Sequence, residues 1–138
     1  MKYVINDPSL ETKDLGSFCA GWKEPLTEEI LFRALKGSYR YVIARDGDGT
    51  VAGFVSAISD GVFAAFIPML EVRPQYQGKG TGTALMEHLL AELSGMRIVD
   101  LMCDPALQAF YKRLGMYPMS GMRASSRGES QGGRTRFS

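Results

Sequence analysis

The sequence predicts an α/β fold built around a mixed, mostly antiparallel sheet. Three strand-like runs follow one another over residues 39–72 with only short glycine turns between them, a pattern typical of antiparallel hairpins. A strand–helix–strand pattern over residues 62–103 then implies one parallel pairing in the sheet. Because 138 residues suffice for one hydrophobic core, we expect a single domain over residues 1–123.

The first part of the chain predicts one strand and two helices. Residues 2–6 are a short strand candidate, and residues 10–20 carry a weak helical pattern. A second helix is predicted over residues 27–35, with Thr27 as its N-cap and Gly37 at its end.

The middle of the chain predicts two hairpins. Runs rich in β-branched and aromatic residues predict strands over residues 39–45, 50–58 and 62–72. Turns at residues 46–49 and 59–61 join them, because glycine adopts the positive φ that tight hairpin turns need. Pro68 removes a backbone donor from the third strand and therefore predicts a break or bulge there.

The last part predicts a helix, a strand and a further helix. An apolar stripe at helical spacing covers residues 80–93, and residues 97–103 read as a strand. Asp104 is the predicted N-cap of the last helix, and Gly115 is its predicted end. Residues 116–122 are candidates for one or two short strands.

Composition excludes several classes of partner. The net charge of +1 gives no basis for binding nucleic acid or an acidic membrane surface. The longest apolar run, residues 62–70, is too short to span a bilayer, and the polar opening of the chain predicts no signal peptide. Residues 124–138 are rich in Gly, Ser and Arg, so we expect a disordered tail there.

Cysteine and histidine usage narrows the chemistry further. Cys19 and Cys103 are far apart and follow no pairing pattern, so we interpret them as reduced thiols in a cytoplasmic protein. The single histidine, His88, excludes a zinc site built on several histidines, and no metal is expected. A Ser-His-Asp triad would have to use His88.

The strongest functional signal is the run Gln77-Gly78-Lys79-Gly80-Thr81-Gly82 between a predicted strand and a predicted helix. Alternating glycines leave the backbone N–H groups accessible, and the following helix adds unpaired N–H groups and a positive dipole end. This combination predicts a phosphate-binding segment over residues 77–83. A P-loop would need Ser or Thr where Gly80 stands, and a dinucleotide fingerprint would need Gly-x-Gly-x-x-Gly.

Two motifs resemble those of the GCN5-related N-acetyltransferases, the GNAT family. Residues 72–85 resemble the family's cofactor-binding motif, whose core Gln/Arg-x-x-Gly-x-Gly/Ala is here Gln77, Gly80 and Gly82. Residues 109–116 (Ala-Phe-Tyr-Lys-Arg-Leu-Gly-Met) resemble its second signature, a Phe-Tyr before a Leu-Gly-Phe. The predicted element order also matches that family over residues 3–122.

The resemblance implies a central sheet splayed at its fourth strand, with helices on both faces and acetyl-coenzyme A as co-substrate. The pantetheine would pair with the strand backbone at Leu70, Glu71 and Val72. The pyrophosphate would lie on the backbone N–H groups that follow Gln77, namely those of Gly78, Lys79, Gly80, Thr81, Gly82 and Thr83. The Lys79 side chain would either add charge at the phosphates or remain solvated.

The resemblance also implies catalytic roles. Tyr111 matches the family's usual proton donor to the departing thiolate and so is a cofactor-contacting residue, although core packing would equally explain a tyrosine on this helix stripe. Glu71 is the candidate base, acting directly or through water; the alternative is a solvent-exposed glutamate with bulk water as the base. A backbone N–H of Val72 or Leu70 would meet the oxyanion.

The acceptor is expected to be a small-molecule amine. Phe18 and Trp22 lie in the region that covers the acceptor site in the family, and residues 15–40 and 116–123 show no acidic cluster suited to a polyamine or aminoglycoside. This favours a partly apolar amine, such as an arylalkylamine. A protein N-terminus or lysine, a non-catalytic acyl-coenzyme A sensing module and an interaction domain remain alternatives. Many members of the family dimerise, so the resemblance also implies a homodimer.

Overall fold

The computed structural model describes residues 1–22 and 24–124. These residues belong to two compact units, Met1–Met102 and the part of the chain from Cys103 onward, and each unit is described by itself. The predicted single domain over residues 1–123 stays a prediction. The predicted disordered tail lies outside the described residues, apart from its first residue.

The first unit is a five-stranded sheet with two α-helices. The strands are β1 (Lys2–Ile5), β2 (Arg40–Arg45), β3 (Val51–Ser59), β4 (Ala64–Val72) and β5 (Ile98–Leu101). The helices are α1 (Glu28–Lys36) and α2 (Thr81–Glu92), with short 3-10 turns at Thr12–Leu15 and Pro74–Tyr76. The strands lie in the order β1-β2-β3-β4-β5, with every pairing antiparallel except the parallel pairing of β4 and β5. The predicted mixed, mostly antiparallel sheet is therefore confirmed.

The pairing of β4 changes at Pro68. On one side, β5 pairs with β4 only from Ala64 to Ile67, so the strands part at the proline. On the other side, the register with β3 shifts between Ser56 and Ile58, and β4 carries the extra residue of a bulge. Proline has no backbone N–H to donate, which fits the end of the β5 pairing at this position, and the predicted break or bulge is confirmed.

The helices cover opposite faces of the sheet, as predicted. Cross-strand partners share a face, so the register places Ile43 and Phe54 together. These two pack in the core cluster with Leu31 and Leu35 of α1. On the other face Leu85 of α2 approaches Gly53, and the ring of His88 stacks on Tyr3 at 4.9 Å between centroids.

Local capping explains the bounds of α1. The Thr27 side chain accepts a hydrogen bond from the Ile30 N–H at 3.2 Å, and Gly37 is the C-cap, with its N–H donating to the Arg33 carbonyl. Both predictions are confirmed.

The helix predicted over residues 10–20 is wrong. Only Thr12–Leu15 forms a 3-10 turn, and the chain then becomes irregular. Ser17 and Cys19 adopt left-handed φ values of 70° and 62°, which an α-helix does not contain. Tertiary hydrogen bonds described below hold this backbone in place.

The second unit also differs from prediction at both ends. Its helical part is a 3-10 turn (Pro105–Leu107) followed by helix α3 (Gln108–Lys112). Asp104 occupies the N-cap position, but its side chain makes no capping hydrogen bond, so the side-chain capping prediction is wrong. Gly115 ends the helix with a φ of 89°, as predicted. Residues 116–122 form no strand, which corrects the predicted short strands.

An ion-pair network fastens the segment after β1 to the sheet. The Asp7 side chain is 2% exposed, and its carboxylate accepts hydrogen bonds from the Ser9 hydroxyl at 2.7 Å and from Arg45 Nε at 2.8 Å. Arg45 also reaches the Asp14 carboxylate at 3.3 Å. Burial alone would raise the pKa of Asp7, but the hydrogen bonds from Ser9 and Arg45 outweigh it and lower that pKa.

We expect Asp7→Asn to lower the free energy of unfolding by about 1.5 kcal/mol at neutral pH, the scale of a hydrogen bond to a charged group. Since the folded pKa of Asp7 is lowered, its contribution is present above the unfolded pKa of 3.8 and is lost as pH falls through the folded value. Urea titrations from pH 7 to pH 3 should therefore show the two proteins converging in acid. Asp100→Asn, at an exposed carboxylate, is the matched control. A difference that stays constant down to pH 3 would contradict this account.

Candidate functional site

The outer half of β4 has a free edge within the first unit. Beyond Ile67 no strand of this unit pairs with the side of β4 that faces away from β3. The Arg73 N–H donates to the Ala52 carbonyl of β3 at 2.8 Å. Because donors alternate along a strand, the N–H groups of Leu70 and Val72 point to the free edge and that of Glu71 points to β3. The edge therefore offers two backbone donors to an extended ligand.

The glycine segment follows this edge and leads into α2. Gly78 and Gly80 have φ values of 75° and 84°, a conformation that only glycine adopts readily. A Cβ on either glycine would meet no described atom within 4 Å, so the backbone is bare on that side. The Ala84 N–H donates to the Gly80 carbonyl at 3.0 Å, which leaves the N–H groups of Thr81, Gly82 and Thr83 without helical partners. This is the geometry of an anion-binding helix N-terminus.

Two side chains fasten the start of the glycine segment. Gln77 Nε2 donates to the Val72 carbonyl at 2.9 Å, so the motif glutamine bridges the segment to the end of β4. The Tyr76 hydroxyl donates to the Asp46 carboxylate in the β2–β3 turn. Interactions with Asp48 and with the Tyr76 hydroxyl lower the pKa of Asp46 to about 2, which keeps this acceptor ionised. The predicted site residues from Leu70 to Thr83 are thus consecutive parts of one edge and loop.

Glu71 reaches the irregular segment instead of pointing freely to solvent. Both oxygens of its carboxylate accept a hydrogen bond from the Cys19 N–H, at 2.9 and 3.1 Å. Burial, together with the nearby Glu71 carboxylate, raises the pKa of the Cys19 thiol to about 12. Cys19 is therefore a protonated thiol at neutral pH and a poor nucleophile.

Arg73 is a residue that the sequence reasoning missed. Its guanidinium donates to the carbonyls of Val51, Gly16 and Asp14 at 2.7, 2.7 and 3.0 Å. Its Cζ atom also lies 4.0 Å from the centroid of the Phe18 ring. The position of an arginine directly after a strand does not predict such contacts, because all the partners come from distant parts of the sequence.

Tyr111 lies in the second unit, on α3. Its side chain is partly buried, and its ring packs edge-on against Phe110 with centroids 4.9 Å apart. Burial, with a smaller contribution from Cys103, raises the pKa of the Tyr111 hydroxyl above its ordinary value. The hydroxyl is therefore protonated throughout the neutral range.

The predicted acceptor-side residues differ in exposure. Phe18 is 5% exposed and packs edge-on against Phe54, so it is a core residue of the first unit. Trp22 is 44% exposed, and Met119 and Met122 of the second unit are 78% and 82% exposed. Trp22 is thus available for contact with a ligand, whereas Phe18 is buried with the Arg73 guanidinium over its ring.

Comparison with known proteins agrees with this geometry. An open sheet edge leading into a glycine-lined helix N-terminus suits an extended, phosphorylated ligand. The model of the acetyltransferase (GNAT) family matches residues 8–116, and the chain belongs to this family, which transfers acetyl groups. A Deinococcus radiodurans R1 crystal structure assigned as an acetyltransferase is 39% identical, with a TM-score of 0.85, over 91% of this chain and 87% of that one. The family and the fold expected from the sequence are confirmed.

Two curated relatives show how far the similarity extends. Serotonin N-acetyltransferase 2 of Oryza sativa subsp. japonica, a chloroplastic protein, is 39% identical in a 94-residue alignment that covers 64% of this chain and 46% of that protein. An uncharacterised N-acetyltransferase of Pyropia yezoensis is 30% identical over 121 residues, which are 82% of this chain and 68% of that protein. The chain thus spans about half the length of the rice relative. Within the described residues, no helix is long and apolar enough to cross a membrane.

Proposed function

We propose that this protein transfers the acetyl group of acetyl-coenzyme A to a primary amine by direct attack in a ternary complex. The observation that carries the proposal is the continuous path from the free edge of β4 to the bare glycines before α2. The donors along this path suit an amide-bearing arm at one end and a pyrophosphate at the other. The family membership supports acetyl transfer, and the cytoplasm is the compartment we expect from the reduced cysteines.

The residues of the path fit the parts of the cofactor in order. Of the N–H groups of Leu70 and Val72, one would pair with the pantetheine amides, and the other would remain free for the thioester; Glu71 lies between them on the strand. The backbone N–H groups from Gly78 to Thr83 would bind the pyrophosphate. Gly78 and Gly80 carry no side chain where the phosphates would lie, and a Cβ would fill that space. Lys79 is exposed and would either approach the phosphates or remain solvated.

Two backbone donors are candidates for stabilising the tetrahedral intermediate. An amine that attacks the thioester carbon leaves negative charge on the carbonyl oxygen, and a fixed N–H near that oxygen stabilises the charge. The N–H of Leu70 or Val72 would serve, because both already face the edge where the thioester would lie. A strand holds these donors rigidly, so little reorganisation accompanies the reaction.

The amine must lose a proton and the thiolate must gain one. Glu71 is the candidate base, directly or through water, because its carboxylate oxygens keep lone pairs free beyond the one N–H of Cys19 that they share. Bulk water is the alternative base. Tyr111 is the proposed proton donor to the coenzyme A thiolate, a role supported by its place in the family's second signature.

A small, partly apolar amine is the proposed acceptor. The rice relative carries the name of serotonin N-acetyltransferase, and serotonin is an arylalkylamine. The exposed indole of Trp22, in the first unit, offers an apolar surface for such an amine. A peptide N-terminus or a lysine side chain is the second candidate class for the acceptor.

The test is calorimetric titration of acetyl-coenzyme A, followed by a thiol-release assay. The amines would be tryptamine, spermidine, kanamycin, a peptide with a free N-terminus and a lysine peptide with its N-terminus blocked. Binding with thiol release on tryptamine supports the proposal. Release only with a peptide moves the acceptor to proteins, and binding without release on any amine supports a sensing module. Absence of binding would overturn the assignment of residues 77–83.

We expect Tyr111→Phe to lower kcat by about tenfold while the Kd of acetyl-coenzyme A changes by less than about twofold. A tyrosine with pKa near 10 protonates a thiolate with pKa near 8.5 only weakly, and burial weakens Tyr111 further as an acid. The thiolate can therefore leave partly unaided, and the variant should be impaired and not inactive. Tyr117→Phe, at an exposed tyrosine of the same unit, is the control. An unchanged kcat/KM in Tyr111→Phe would remove the catalytic assignment.

A further inference from the structure

Residues 14–19, which we call the bracket segment, donate hydrogen bonds to and accept them from two side chains at one end of β4. Glu71 and Arg73 are two residues apart on an extended backbone, so their side chains leave the same face of the sheet. Glu71 accepts from the Cys19 N–H, while Arg73 donates to the Gly16 and Asp14 carbonyls. Glu71 thus binds one end of the segment and Arg73 binds the other.

The left-handed backbone of the bracket segment depends on these hydrogen bonds. Ser17 and Cys19 both have positive φ values without being glycine, a conformation that persists only where neighbouring groups impose it. The Arg73 guanidinium also lies over the Phe18 ring, with its Cζ atom 4.0 Å from the centroid, and it donates to the Val51 carbonyl of β3. Arg73 therefore links the segment to the end of β4 and, through the Val51 carbonyl, to β3.

The contacts of Glu71 and Arg73 with the bracket segment lie beside the path proposed for the cofactor. Leu70 and Val72, whose N–H groups face the free edge, are the immediate neighbours of Glu71, and Val72 also precedes Arg73. The bracket segment leads within three residues to the exposed Trp22, whose N–H donates to the Cys19 carbonyl at 3.1 Å. A thioester bound on β4 would therefore have the segment beside it on the face from which the Glu71 side chain projects.

We propose that Glu71 and Arg73 act as positioning residues, which hold the bracket segment and Trp22 against β4 and so orient the acceptor amine towards the thioester. The inference rests on the proposed function, because it takes β4 as the cofactor strand. It adds a role for two residues that act through the segment and not on the reacting atoms. Any role of Glu71 as a base is separate and would be exerted on the amine itself.

Hydrogen exchange measured by mass spectrometry tests whether Arg73 holds the bracket segment, without an activity assay. In Arg73→Met we expect peptides covering residues 14–22 to exchange at least about tenfold faster, while peptides from α2 keep their wild-type rates. Arg40→Met is the matched control, because Arg40 also lies over an aromatic ring, that of Tyr39 at 4.2 Å, but pairs with Glu92. An unchanged rate in Arg73→Met, or an equal increase in Arg40→Met, would overturn the proposal.

Two substitutions of Glu71 separate positioning from base catalysis. Glu71→Gln and Glu71→Ala both remove the base, but only glutamine keeps an oxygen that can accept from the Cys19 N–H. With tryptamine as the amine, we expect the KM for the amine to be at least about tenfold higher in Glu71→Ala than in Glu71→Gln, with equal Kd for acetyl-coenzyme A. The exchange rates of residues 14–22 should follow the same order. Equal KM values and equal exchange rates in the two variants would overturn the positioning role.

The two proposals fail in different ways. A wild-type protein that binds no acetyl-coenzyme A, or that releases no thiol with any amine, defeats the proposed function and the orientation of an acceptor with it. The exchange rates in Arg73→Met would still decide whether the pair holds the segment. Conversely, thiol release by the wild type, with Arg73→Met unaltered in exchange and in KM for the amine, defeats the positioning role alone.

Discussion

Gly80→Asp should weaken the binding of acetyl-coenzyme A by roughly a thousandfold, of which about a hundredfold comes from its charge and about tenfold from its bulk. A carboxylate about 5 Å from one pyrophosphate charge costs about 3 kcal/mol at an effective dielectric constant of about 20, and each 1.4 kcal/mol is about tenfold in Kd. Aspartate tolerates the left-handed backbone better than most residues, so the fold should accept it at φ 84°. Calorimetric titration of acetyl-coenzyme A measures the effect.

Gly80→Asn is the matched control for this substitution. Asparagine has nearly the same shape as aspartate and the same tolerance of positive φ, but it carries no charge. We therefore expect Gly80→Asn to lose affinity by about tenfold, because its side chain fills the space next to the helix N-terminus. Equal affinities of the two variants would show that charge at this position does not matter, and the phosphate would then have to bind elsewhere.

The sheet and its break were predictable because their causes are local. Strand-forming runs separated by glycine turns define the two hairpins within the sequence itself, and Pro68 lacks the N–H that a regular strand would donate, which favours a bulge. The glycine segment was predictable for the same reason, since Gly78 and Gly80 remove side chains at positions where the backbone must turn with positive φ. Thr27 likewise acts on an N–H only three residues away.

The bracket segment was not predictable because its causes are distant. Glu71 and Cys19 are 52 residues apart, and Arg73 reaches the Gly16 carbonyl from 57 residues away. A pattern of weak helical spacing over residues 10–20 carries no information about these partners, so tertiary contacts override the local preference. The sequence marked Glu71 as chemically interesting, but only the fold reveals that its carboxylate binds a backbone N–H.

In the second unit, too, the features with local causes were predictable from the sequence, and those with distant causes were not. Gly115 ends the helical part as predicted, because a helix C-terminus with positive φ is a local feature of glycine. Residues 116–122 need a partner strand to be a strand, and the sequence alone does not say whether one is available. Their extended propensity was therefore insufficient for the predicted strands.

Gly53→Ala should lower the free energy of unfolding by about 3 kcal/mol, at the upper end of the overpacking range. A Cβ on Gly53 would lie 2.7 Å from the Glu71 carbonyl oxygen and 3.2 Å from the Val72 Cα atom, both in the backbone of β4. Backbone atoms in a paired strand move less readily than the end of a side chain. Urea unfolding measures the loss, and Gly95→Ala, where a Cβ meets nothing within 4 Å, should change stability by less than about 0.5 kcal/mol.

The same substitution should also weaken the binding of acetyl-coenzyme A, and this links the core to the site. The new Cβ would also lie 3.2 Å from Leu85 Cδ1, in the second turn of α2. Gly53 therefore sets the spacing between the free edge of β4 and the helix whose N-terminus follows the glycine segment. If the cofactor spans both, a few tenths of an ångström of displacement at Gly53 separates its two anchoring points. Gly53→Ala protein that is destabilised but binds with wild-type affinity would show that the two anchoring points do not act together.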